Sequence, residues 1–258
     1  MLVVTSGILL HTTKYADTSV IAQIFTREIG LRSYIVKNVR CGKSHVKQNL
    51  LQPMAHLDLV VYNSPKANIN HIKEIHQHLP SAPACNADFV ADNSPYDPTT
   101  RNALLFFMNE VTYKVMKDEE VNIPYFDYIA ETLHEIHTAA EKHLSFDPNL
   151  PIHFLLNTAH HLGIFPQDNY NPSYTLFDLH EGHFVNQPTD TTLDHNQSLL
   201  LHHFLDHTAQ SATLTERTSL INNLLQYFQT HLDSFKNFKS HEILHTLLEQ
   251  HNTMRNNC

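Results

Sequence analysis

A chain of 258 residues with 41% hydrophobic and 17% charged side chains is long enough for two domains and too apolar to be disordered. No apolar run approaches the roughly 18 residues of a membrane span. The cysteines Cys41, Cys85 and Cys258 form no C-x-x-C pair, so the sequence offers neither a zinc ribbon nor a disulfide framework and reads as that of a cytoplasmic protein. The formal net charge of −9 conceals a split, because residues 1–80 carry nine Lys/Arg against four acids while the remainder carries eight against 22. A cationic module joined to an anionic one points to a polyanion as a partner of the first, and the commonest in a cell is nucleic acid.

The first 80 residues read as β structure. Residues 3–11, 19–26 and 31–36 are β-branched and aromatic runs of strand length. The apolar start has no cation ahead of it and reads as a strand, not a leader. Arg27-Glu28-Ile29-Gly30 joins the second and third runs as a tight turn in which Gly30 takes a positive φ. Residues 56–62 and 69–76 form two further strands around the turn-rich Asn63-Ser64-Pro65-Lys66-Ala67-Asn68. Five short strands suggest a small closed barrel of the OB type. The Pro-, Ser- and Asn-rich stretch at about 80–98 reads as a linker, giving an expected division into domains 1–80 and 81–258.

Helical spacing follows at 99–117, through Leu104, Leu105, Met108, Val111, Val115 and Met116, and at 126–143, through Ile129, Leu133, Ile136 and Ala140. Pro151 opens a third helix over 151–162, and Gly163 with Pro166 stops it. Residues 174–185 alternate and read as a β-hairpin with its turn at Glu181-Gly182. Helices at 196–209, 213–235 and 240–250 close an α+β chain: an OB-fold barrel, then a mainly α-helical domain with a small β-hairpin.

Lys37, Arg40, Lys43 and Lys47 fall within eleven residues after the third strand, spaced to share one side of a turn or one edge of a loop. Gly42 and Ser44 let the backbone approach a phosphate, and Arg27 and Arg32 flank the preceding turn. Of the aromatics in this half, Phe25 reads as core, whereas Tyr34 lies between Ser33 and Ile35 and is a candidate for stacking on an unpaired base. No recognition helix is evident, so binding should be salt-sensitive and weakly dependent on sequence. In the first helix Arg101, Lys114 and Lys117 concentrate positive charge and form a candidate docking surface for an acidic peptide.

HEILH at 241–245 matches the helical zinc-protease motif, with Glu242 in the position of the base and His251 at the third-ligand spacing. The reading fails because Leu248 stands where a glycine must break the helix. In a continuing helix His251 would lie about 15 Å from His241 along the axis. The 22 histidines also make a chance match unsurprising. The pairs His160-His161, His202-His203 and His134/His137 lack a Cys or acidic partner set and read as packing or surface histidines. No P-loop, G-x-S-x-G or dinucleotide fingerprint occurs, and no cofactor is indicated.

Laid out this way, the chain resembles the RecO family of bacterial DNA repair proteins. The resemblance is carried by Gly7-Ile8-Leu9-Leu10, Tyr15 to Ser19, Phe25-Thr26-Arg27-Glu28-Ile29-Gly30, Lys37-Asn38-Val39-Arg40-Cys41-Gly42-Lys43-Ser44 and Leu51-Gln52-Pro53. It continues with His153-Phe154-Leu155-Leu156, Leu162-Gly163-Ile164-Phe165-Pro166 and the tail Tyr227, His231, Phe235, Lys239-Ser240 and Leu244. Membership implies a non-enzymatic mediator that binds single- and double-stranded DNA and anneals complementary strands. It also implies assistance in loading RecA onto strands coated by single-strand-binding protein, with RecR and the acidic C-terminal tail of that protein as partners. Arg27, Arg32, Tyr34, Lys37, Arg40, Lys43 and Lys47 would then contact DNA. Many family members hold zinc with four cysteines between the central helices. This chain has none there and carries the hairpin at 174–185 instead. The alternative reading is an adaptor whose barrel binds a peptide or RNA.

Overall fold

The computed structural model describes residues 1–37, 39, 50–64, 66–78, 98–116, 120–208, 212–236 and 238. The five N-terminal strands form as the residue alternation dictates: β1 (Leu2–Lys14), β2 (Val20–Thr26), β3 (Gly30–Val36), β4 (His56–Tyr62) and β5 (Asn70–Gln77). They close into an OB-like barrel of order β1-β2-β3-β5-β4. All pairings are antiparallel except β3 with β5, which run parallel over only two matched positions, Tyr34↔Asn70 and Ile35↔His71.

The barrel interior is filled by Leu9, Val20, Ala22, Ile24, Tyr34, Val36, Leu57, Leu59 and Val61 from β1 to β4, with Ile72 and Ile75 of β5 packed against them. Two glycines have local reasons. A Cβ on Gly7 would stand 2.6 Å from Ile24 Cγ2 and 2.8 Å from Leu59 Cδ1, so β1 crosses the interior only without a side chain there. Gly30 has φ of 78°, the left-handed conformation expected for the β2–β3 turn, and its carbonyl accepts a 2.7 Å hydrogen bond from Thr26 Oγ1.

The outer face of the barrel is also apolar where β1 and β2 meet the first two helices. Ile8, Leu10 and Phe25 are buried. Phe25 packs against Tyr125 and Phe126 at ring-centroid distances of 6.1 and 5.5 Å, which agrees with its reading as core. These partners lie on α2 (Ile123–Glu141), while α1 (Pro98–Val115) contributes Tyr113, whose hydroxyl donates to Gln23 Oε1 at 2.9 Å. α2 begins three residues before its apolar period, because Asn122 caps it by accepting from Tyr125 N and a proline occupies its first turn. The compact unit is therefore Met1–Phe146, barrel and two helices together, and the second unit starts at Asp147. The sequence expectation drew its line near residue 80. Left without α1 and α2, the barrel would expose the outward rings and aliphatics that they cover.

In the second unit, α3 (Leu150–His161), α4 (His195–Leu205) and α5 (Leu214–His231) surround a two-stranded hairpin, β6 (Leu176–Asp178) and β7 (His183–Val185). Asp194 caps α4, and Thr213 with Glu216 forms a capping box on α5. α5 stops at His231 instead of 235, with Leu232 already extended. Phe177 and Phe184 face each other edge-on across the hairpin, fully buried, with centroids 5.1 Å apart. The expected helix over 240–250, and with it the HEILH motif, lies outside the described residues.

Candidate nucleic-acid interface

The basic loop after β3 is tied to the barrel at both ends. Val39 and Leu50 are buried in the barrel core, and Val39 N donates to Thr18 O at 2.8 Å. On the return side Met54 N donates to Leu9 O at 2.8 Å and Leu9 N to Ala55 O at 3.0 Å. Lys37 stands exposed at the first anchor. Arg40, Lys43 and Lys47 fall between the anchors, outside the described residues, as does Lys117 further on.

The other sequence candidates separate. Arg27 is held by Asp127 on α2 through two charge-assisted hydrogen bonds, Nε to Oδ1 at 2.7 Å and Nη2 to Oδ2 at 2.8 Å, with Glu28 at 3.4 Å. The hydrogen bond raises the guanidinium pKa and holds the Asp127 carboxyl below its ordinary value. Arg27 thus clamps the β2–β3 turn to α2, and its charge is already matched. Arg32 is half-buried on β3, opposite Ile24.

Tyr34 corrects the sequence reading. Its ring is 0% exposed inside the barrel, and burial pushes its phenol up to about 12. It fills the space left by the small Ala22 opposite it and cannot stack on a base. Among the described residues of the barrel the exposed aromatics are Tyr15 at 58% and Tyr62 at 52%. Alternation could have found Tyr62: Leu57, Leu59 and Val61 point inward, so the next residue points out.

Tyr62 borders a cleft of about 460 Å³ beside the β3–β5 seam, lined by Ile35, Val36, Lys37, Tyr62, His71, Ile72, Lys73 and Ile75. Its floor is aliphatic, and Lys37, His71 and Lys73 are exposed around it. Lys73 also meets Glu74 at 3.3 Å, an exposed pair of the kind that contributes little. A second cleft of about 260 Å³ lies between Gln52, Pro53 and the start of α1, where it is lined by Arg101, Asn102, Leu105 and the half-exposed Phe106. Lys114 is not part of it. It lies 13 residues further along α1, about 20 Å along the axis, and 4.0 Å from Glu110.

Among the described residues no group of three or more His, Cys, Asp or Glu side chains is placed to hold a metal. The hairpin is instead closed by hydrogen bonds. The carboxylate of Asp178, 1% exposed, accepts from His180 N (2.8 Å), Glu181 N (3.1 Å), Thr189 Oγ1 (2.5 Å) and Thr191 Oγ1 (2.9 Å). The Asn169 amide bridges both backbone groups of Phe184, at 2.7 and 3.0 Å. The histidine pairs are likewise absorbed locally. His202 stacks on Tyr170 at 4.2 Å and meets Asp168 at 3.0 Å, and His203 meets Thr208 at 2.9 Å.

The family model described as "Recombination protein O N terminal" matches residues 1–78, the span of the barrel. Similarity to curated proteins extends over nearly the whole chain. A "DNA repair protein RecO" of Phocaeicola vulgatus is 30% identical over 256 residues, covering 96% of this chain and 99% of its own. Those of Flavobacterium psychrophilum and Porphyromonas gingivalis are each 27% identical, covering 95% and 96% of this chain and 98% and 100% of their own. The barrel, the helical unit that follows it in the chain and similarity along the full length agree: the chain belongs to the RecO family of DNA repair proteins.

Proposed function

We propose that this chain is a non-enzymatic DNA-binding mediator of recombination. It binds single- and double-stranded DNA through the barrel, anneals complementary strands, and helps load RecA onto strands coated by single-strand-binding protein, acting with RecR in the cytoplasm. The observation that carries the reading is full-length family membership joined to the cationic loop, anchored at Val39 and Leu50. Annealing needs two polyanions to approach. Lys37, Arg40, Lys43 and Lys47 neutralise phosphates and release counterions, with no covalent step and no general acid or base. The acidic remainder of the chain repels DNA and keeps it on the barrel. The Arg101 cleft, with Leu105 and Phe106 as its apolar wall, suits the acidic, apolar tail of single-strand-binding protein.

The test is the annealing rate of two complementary oligonucleotides at low salt. A stoichiometric amount of protein should raise it by about tenfold or more without a nucleotide cofactor, and the gain should vanish as salt screens the phosphate contacts. No acceleration at any protein ratio, or cleavage of either strand, would overturn the reading.

A further inference from the structure

We propose that the cleft beside Tyr62 seats an unpaired nucleobase, with Lys37 and Lys73 meeting the flanking phosphates, so that this site takes single strands and not duplex. The proposal rests on the DNA-binding reading above and assigns one subsite within it.

The geometry comes from the seam of the barrel. Strands β3 and β5 are in parallel register at Ile35↔His71, and two residues further along each chain Lys37 and Lys73 line the two walls of the cleft. Lys73 is also the extra residue of a bulge, because Val61 pairs with Ile72 while Val60 pairs with Glu74. Bulges re-aim side chains. Ile72 and Ile75, packed on the barrel core, with Ile35 give an apolar floor. Tyr62 pairs with His71 on one side and Leu2 on the other, which fixes its backbone while half of its surface stays in solvent. The volume of about 460 Å³ lies within the range of roughly 300–1,000 Å³ typical of small-ligand pockets.

An aliphatic floor, an exposed aromatic face and an ammonium group on each wall are complementary to a base with a phosphate on either side. A duplex keeps its bases paired and stacked, so it offers the cleft nothing to insert. An acidic peptide would use the lysines and leave the aromatic face unused.

The experiment measures fluorescence anisotropy of the full chain with labelled oligo-dT, the matching duplex and an abasic strand of equal length. Tyr62→Ala should weaken oligo-dT binding by about 5- to 150-fold, the value of one stacked base at 1.4 kcal/mol per tenfold. Duplex affinity should stay unchanged, and Tyr62→Phe should bind as the parent does. The abasic strand should bind the parent no better than oligo-dT binds Tyr62→Ala. Lys73→Gln, which leaves the aromatic intact, should lower the salt slope for oligo-dT by about 0.7. If Tyr62→Ala keeps full oligo-dT affinity in a protein that binds DNA well, the subsite falls and the DNA-binding reading stands. If the parent binds neither strand nor duplex, both fall. If Tyr62→Ala loses a labelled acidic peptide and keeps oligo-dT, the cleft is a peptide seat and the proposal is overturned.

Discussion

Replacing Asp178 with alanine is expected to destabilise the second unit by about 3–5 kcal/mol, lowering its melting temperature by roughly 10 °C or more. The carboxylate is 1% exposed and accepts from two backbone amides and two threonine hydroxyls. Truncation leaves these part-buried donors without their shared acceptor, and the loss of each is felt at the β6–β7 turn and at the segment that returns through Thr189 and Thr191. Burial pushes the Asp178 carboxyl up, but the bonds from Thr189, Glu181, His180 and Thr191 outweigh it, and its pKa lies below the ordinary 3.8. A group depressed in the fold stabilises above its unfolded pKa, so this contribution is intact at neutral pH. It fades only as pH falls below about 4 and through the folded value. Because hydrogen bonds close the hairpin, a chelator should leave the melting curve of the parent protein unmoved. A chelator-induced loss of stability, or an Asp178→Ala variant that melts with the parent, would contradict this account of the hairpin.

Acid should destabilise the first unit well before its carboxylates titrate. His56 sits where β4 meets α2, its Nε2 2.8 Å from Ser6 Oγ on β1 and its ring 5.9 Å from Phe126. The His78 ring lies 4.2 Å away at a tilt of 37° and is itself bonded to Asp58 at 2.9 Å. Burial first, and then the neighbouring His78, lower the His56 pKa from 6.5 to about 4, against a smaller opposing pull from Asp58. The unfolded chain takes up a proton near pH 6.5 that the folded one refuses until about pH 4. Stability is therefore complete above 6.5 and declines as pH falls through that window, by roughly 2–3 kcal/mol. Denaturant titrations of the first unit at pH 7.5, 6, 5 and 4 measure this. The decline should flatten in His56→Gln, and an equally steep decline in that variant would assign it to other groups.

The strands were legible because β-branched and aromatic runs lie between turn signals, and Gly30 marks the left-handed residue of the β2–β3 turn. Alternation alone does not say which face is inside. At Tyr34 both neighbours, Ser33 and Ile35, are half-buried, so the residues beside it do not decide which way the ring points. The deciding fact is Ala22 across the ladder, whose small side chain leaves room for the ring. Tyr62 ends a strand whose inward positions are all aliphatic, and its outward direction was there to be read. The link between the barrel and α2 was hidden for a different reason. Arg27 meets Asp127 and Phe25 meets Phe126 across about a hundred residues, a separation over which composition and periodicity carry no information. The polar closure of the hairpin was hidden too, since Asp178, Thr189 and Thr191 look like ordinary turn residues until the chain brings them together.

The central claim is that a cationic barrel holds polynucleotide through its phosphates. The most direct measurement is the affinity of the full chain for oligo-dT across a salt series. Four phosphate contacts from the loop predict a slope of log affinity on log salt near −3. The triple replacement of Lys37, Arg40 and Lys43 by alanine should flatten it to about −1. A slope unchanged by the triple replacement, or no binding at the lowest salt, would contradict the claim.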